Sequence, residues 1–90
     1  MREFGERLSY LRQKQGMTQD EFRSIFNPPL AQSTIGTYEK GLRQMTFENL
    51  IFLNKKFNVS IDWLLGVTDE ERPVEVFKED NPKELREFLE

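Results

Sequence analysis

The sequence predicts an all-α fold, a bundle of five short helices followed by a short helix at the C-terminus. Three observations predict it. Apolar residues recur at helical spacing along the first two-thirds of the chain; most of these stretches are bracketed by a capping residue and a glycine, asparagine or proline; and the stretch read as extended is short, Val74-Glu75-Val76-Phe77.

Phe4, Leu8 and Leu11 form one stripe of a first helix over about 2–15, with Arg7, Arg12 and Lys14 on its other faces and Gly16 closing it. Thr18 then caps a second helix, and Glu21, three residues on, completes a capping box. Phe22, Ile25 and Phe26 give that helix an apolar face before Asn27-Pro28-Pro29 stops it. A third helix is expected from Gln32 to Lys40, with Ile35 and Tyr38 facing inward, Ala31 at its cap and Gly41 after its end. Thr46 caps a fourth, Phe47 to Phe57, whose apolar face is wide enough to mark a core helix; Asn58 closes it. Ser60 caps a fifth, Ile61 to Leu65, ended by Gly66. Residues 1–67 are thus read as one domain and 68–90 as an acidic linker with a terminal amphipathic helix, capped at Asn81-Pro82 and carrying Leu85, Phe88 and Leu89. The expected core includes Phe22, Ile35, Tyr38, Leu50, Leu53, Phe57, Ile61, Leu64 and Leu65.

Composition narrows the function. Without cysteine or histidine the chain lacks thiolate metal sites, disulfides, the usual general base and the commonest zinc ligand, and it shows no Gly-rich phosphate loop or clustered nucleophile and base. No enzymatic activity, metal or cofactor is expected. Nor is there an apolar run of transmembrane length or a signal-peptide core, so a soluble, intracellular protein with no membrane partner is expected. The net charge of −3 is unevenly placed: residues 1–67 hold nine Lys/Arg against seven Asp/Glu, and residues 68–90 hold four against nine. A weakly basic body with an acidic tail is compatible with binding nucleic acid at modest non-specific affinity.

Two very short helices joined tightly after a capped start suggest a helix-turn-helix. Met17-Thr18-Gln19-Asp20-Glu21-Phe22, then Ser33-Thr34-Ile35-Gly36-Thr37-Tyr38-Glu39-Lys40-Gly41, then Val59-Ser60-Ile61-Asp62-Trp63-Leu64-Leu65-Gly66 closely resemble the Cro and phage-repressor type of helix-turn-helix proteins, often called the XRE family. The resemblance spans about residues 4–67 and implies a lambda-repressor-like bundle, cytoplasmic in a prokaryotic cell and encoded by the host, a phage or a mobile element, that binds double-stranded operator DNA as a homodimer and regulates transcription, most often by repression.

It also implies roles residue by residue. Gln32, Ser33 and Thr37, with Thr34 second to them, match the base-reading positions; a Gln amide can both give and take hydrogen bonds with adenine, and hydroxyls can bond bases or cover a thymine methyl. Gln19, at the start of the second helix, matches a phosphate-holding amide, and Lys40, Arg43 and Gln44 lie where a loop can follow the DNA backbone. Arg12 and Glu39 match a supporting pair that links the first helix to the end of the reading helix.

The chain departs from that pattern in three places. The connection Asn27-Pro28-Pro29-Leu30-Ala31 is two residues longer than usual; Arg23 stands where the family usually has alanine, so it must snorkel or the helices splay; and Gly36 lies inside the reading helix, costing roughly 1 kcal/mol relative to alanine unless it serves close approach. With the negative net charge, these departures keep two alternatives open. One is an antitoxin-like regulator whose acidic tail holds a protein partner; the other is an interaction module that kept the fold with weak or no DNA binding.

Overall fold

The computed structural model describes residues 2–73. Its elements are α1 (Arg2–Lys14), α2 (Gln19–Ser24), α3 (Thr34–Glu39), α4 (Phe47–Phe57) and α5 (Ile61–Leu64), with no strand among the described residues. The extended stretch at 74–77 and the terminal helix from Asn81, both read from the sequence, lie outside them.

Local chemistry sets most boundaries. Thr18 accepts from the Glu21 N–H at 3.1 Å while the Glu21 carboxylate accepts from the Thr18 N–H at 2.9 Å, a complete capping box. Thr46 and Ser60 cap α4 and α5 by accepting from Asn49 and Trp63. At the end of α1, Gly16 takes φ 70° and donates to Gln13, and Met17 donates to Arg12. The end of α3 repeats this two-bond pattern with Gly41 at φ 75°, bonded to Tyr38, and Leu42 bonded to Thr37. Such ends turn the chain sharply with few residues.

The buried faces of these short helices meet in one core. Phe4, Leu8 and Leu11 of α1, Phe22 of α2, Ile35 and Tyr38 of α3, Leu50 and Leu53 of α4, and Trp63 and Leu64 of α5 are all buried. Phe26, Met45 and Val59 join them from the connections. Each such side chain contributes on the order of 2 kcal/mol by leaving water, which offsets the poor intrinsic stability of helices this short. Aromatic edges lock the arrangement: Phe22 meets Phe26 edge-on at 5.8 Å and stacks on Phe57 at 6.1 Å, and Phe4 meets Tyr38 edge-on at 6.2 Å. One expected core residue, Leu65, and one residue of the expected apolar face of α4, Phe47, lie elsewhere. Leu65 is the C-cap of α5 and 40% exposed, and Phe47, in the first turn of α4, is 67% exposed, so the wide apolar face of α4 is only partly covered.

α3 is the central packing element, resting on both α1 and α2, while α5 joins α1 to α4. Its contact with α1 is unusually close at Gly5. A Cβ there would fall 2.7 Å from the Tyr38 carbonyl oxygen and nearer still to that of Glu39, so only glycine lets the two backbones approach this far. Hydrogen bonding continues past Val67. Arg7 donates to the carbonyls of Trp63 (2.6 Å) and Thr68 (2.5 Å) and pairs with Asp69, Lys14 pairs with Glu71 at 2.7 Å, and the Ser60 N–H donates to the Glu71 carbonyl. The Glu71 hydrogen bond holds the Lys14 ammonium above its ordinary pKa.

Candidate nucleic-acid interface

The site is built from the Glu39 carboxylate outward. Arg12 Nε donates to Glu39 Oε2 at 2.7 Å and Arg12 Nη2 to Oε1 at 3.3 Å, a two-pronged pair whose side chains are only 14% and 10% exposed. Arg12 Nη1 donates as well to the Met17 carbonyl at 2.8 Å, and Gln19 Nε2 reaches Glu39 Oε1 at 3.0 Å. One carboxylate therefore gathers the end of α1, the α1–α2 turn and the start of α2 around the last residue of α3. Charge-assisted bonds in so sheltered a position give orientation as well as energy.

On that clamped frame α3 turns Ile35 and Tyr38 inward and leaves Thr34, Gly36 and Thr37 half-buried. The structure corrects the start of this helix. Gln32 and Ser33 lie in the turn before α3, and the N-cap is Ser33, not Ala31. Ser33 sits at φ 71°, in the left-handed region, and its side chain makes no capping bond. Both residues are exposed, and they lie with Gln19, Asp20, Arg23 and Gly36 around a shallow notch between α2 and α3. Four of the expected contact residues, Gln32, Ser33, Gln19 and the half-buried Thr37, are thus carried on one small region, although the first two are delivered by a turn rather than a helix. Thr37 Oγ1 donates back to the Ser33 carbonyl at 3.1 Å, which leaves its lone pairs available as acceptors.

Lys40 caps the C-terminal end of α3, and Arg43 and Gln44 follow in the exposed connection to α4. Among the described residues neither Lys40 nor Arg43 pairs with a carboxylate, whereas Arg2, Arg7, Arg12, Lys14 and Arg23 all do. Gly36 faces the Gln19 side chain, and a Cβ there would stand at 3.5 Å from its Oε1, an ordinary contact, so this glycine is not required by packing within the chain.

Arg23 snorkels rather than splaying the helices. Its Nε donates to Asp20 Oδ1 at 2.7 Å and its Nη1 to the Leu30 carbonyl at 3.2 Å, with the side chain 29% exposed. Two supporting residues escape a reading of the sequence. Gly5 looks like an unremarked glycine in a helix, yet a glycine tolerated at about 1 kcal/mol within a well-formed helix is itself a sign of close packing. Arg7 looks like a surface cation but lies over the Trp63 ring, 5.2 Å from its centroid, and ties α1 to α5. Among the described residues no helix is long and apolar enough to cross a membrane, and no group of acidic side chains is placed to hold a metal ion.

Comparison with known proteins agrees with this geometry. A family model described as helix-turn-helix matches residues 8–64. The chain is 31% identical over 85 residues to an uncharacterized HTH-type transcriptional regulator, YobD, of Bacillus subtilis (strain 168), an alignment covering 94% of this chain and 70% of the relative. It is 37% identical over 62 residues to the HTH-type transcriptional regulator ImmR of the same organism, covering 69% of this chain and 47% of the relative. No solved structure matches. With the family model spanning the clamp, the notch and α3 together, the chain belongs to the helix-turn-helix family of transcriptional regulators, of the XRE type that its sequence resembles, and not to a family of enzymes.

Proposed function

We propose that this chain is a sequence-specific DNA-binding repressor that docks the start of α3 and its preceding turn into the major groove, two copies together reading a palindromic operator. The observation that carries this reading is the polar edge formed by exposed Gln32 and Ser33 in the turn before α3 and half-buried Thr37 on α3, a helix whose opposite side is buried and whose end is clamped by Arg12 and Glu39. Readers without charge recognise bases by hydrogen-bond pattern, Gln32 through its amide and Ser33, Thr34 and Thr37 through hydroxyls and methyls. Lys40 and Arg43, unpaired among the described residues, and the Gln44 amide supply backbone contacts beside that edge. Gln19 has given one amide hydrogen to Glu39 and keeps a second for a phosphate oxygen.

So short an edge spans only a few base pairs, and a dimer on two half-sites doubles the information read. Repression follows when such an operator overlaps a promoter. Affinity for an enriched duplex, measured against salt, tests the assignment. Gln32→Ala should weaken binding about tenfold or more without changing the salt slope, and Lys40→Ala or Arg43→Ala should each lower the slope by about one. Wild-type affinity in Gln32→Ala would remove it from the reading edge.

A further inference from the structure

We propose that Arg23 is a positioning residue for base readout, a fork that fixes the turn delivering Gln32 and Ser33. The inference rests on the DNA-reading function above and adds to it a residue that acts through others.

Beyond the packing of Leu30 against the core and the bond from the Thr34 N–H to the Ala31 carbonyl, few contacts hold the turn. Pro28 and Pro29 have no N–H, and among residues 27–33 only Leu30 donates its N–H to a backbone carbonyl of the described residues. That acceptor is the Arg23 carbonyl, at 3.1 Å. The Arg23 guanidinium in turn donates through Nη1 to the Leu30 carbonyl and through Nε to Asp20 Oδ1. Both main-chain polar groups of Leu30 are therefore tied to Arg23, and Asp20 holds the guanidinium in line.

Two residues further on stand Gln32 and then Ser33, which occupies a left-handed conformation with no side-chain capping bond. Thr37 holds the Ser33 carbonyl from the helix side through its N–H and Oγ1, so the left-handed serine needs its other neighbours, in the turn, fixed as well. The Arg23 fork does this. Gln32 and Ser33 border the same notch as Arg23, so a shift of Leu30 is passed directly to the reading edge. The planar guanidinium meets Asp20 through Nε and the Leu30 carbonyl through Nη1; a lysine keeps the charge but carries its donors on a single nitrogen, which does not reproduce that two-point spacing.

Arg23→Lys and Arg23→Ala, compared with wild type on the duplex that wild type selects from random DNA, test the claim. Both variants are expected to bind about tenfold more weakly, the loss of one charge-assisted hydrogen bond, and to discriminate less between that duplex and its single-base variants, with the salt slope unchanged. Hydrogen exchange at the Leu30 amide, measured without DNA, should quicken in both. Full affinity in Arg23→Lys with a lower salt slope in Arg23→Ala would overturn the proposal in favour of a direct phosphate contact. Wild-type affinity, discrimination and Leu30 protection in both variants would overturn it outright. If wild type itself selects no motif, the DNA-reading function fails first, and the role of Arg23 falls with it.

Discussion

The two helices of the motif begin in opposite ways. α2 starts on a capping box in which Thr18 and Glu21 satisfy each other's backbone groups, so its first turn is specified by four consecutive residues. α3 starts at a left-handed serine that caps nothing, after a proline-stiffened turn, and its six residues include a glycine. Nothing local makes α3 a helix. It is held instead by burial of Ile35 and Tyr38, by the approach of α1 at Gly5 and by the Glu39 clamp. A helix fixed by its surroundings can spare its outward side and the turn before it for recognition, which is the use proposed for Gln32, Ser33 and Thr37.

Attacking the surroundings of α3 should therefore cost most. Gly5→Ala places a methyl against two carbonyl oxygens of α3, and the overpacking, partly offset by alanine's better helix propensity, should cost about 2 kcal/mol, or roughly 10 °C in a thermal melt. A melt unchanged by this substitution would show that the α1–α3 contact is looser than described. Glu39→Gln comes next. It leaves the Arg12 guanidinium without its carboxylate in a sheltered site, and denaturant unfolding should show a loss of roughly 1.5 kcal/mol.

The caps give the direct contrast. Thr18→Ala should cost about 1 kcal/mol, whereas Ser33→Ala, which removes no capping bond, should stay within a few tenths in the same denaturant titration. Equal losses would erase the distinction between the two helix starts. The smallest effect is in pH. The hydrogen bond from the Thr18 N–H holds the Glu21 carboxyl below its ordinary pKa of 4.5. Because the folded value is the lower one, the contribution of Glu21 is fully present above the unfolded value and is lost as pH falls through the folded one. The stability gap between wild type and Glu21→Gln should accordingly close on acidification below the ordinary carboxylate range, in thermal melts at a series of pH values.

The same contrast explains what the sequence reveals. Helices that carry their own signals, Thr18 with Glu21, Thr46 with Asn58 and Ser60, start where their residues place them, although α2 ends at Ser24, with Ile25 as its C-cap and Phe26 in the connection rather than on its apolar face. The start of α3 is not, because its helical period rests on Ile35 and Tyr38 alone and the turn's geometry depends on Arg23 and Leu30, an interaction across seven residues without local signature. Met45 and Val59 enter the core from connections, where no period marks them. Phe47 and Leu65 fit the apolar pattern but sit at helix ends, past the edge of the packed region. Of the site, the Arg12–Glu39 pair and the grouping of the proposed readers near Gln19 are legible from family resemblance, while the third bond to Glu39 and the close approach at Gly5 need the fold.

Base reading by Gln32 is decided by selecting binding sites from random duplex DNA in parallel with wild type and Gln32→Ala. Wild type is expected to enrich an inverted repeat whose half-sites are centred about ten base pairs apart, and Gln32→Ala to relax the preference at one symmetric pair of positions. No enriched motif with wild type, or an identical motif from both proteins, would contradict that role.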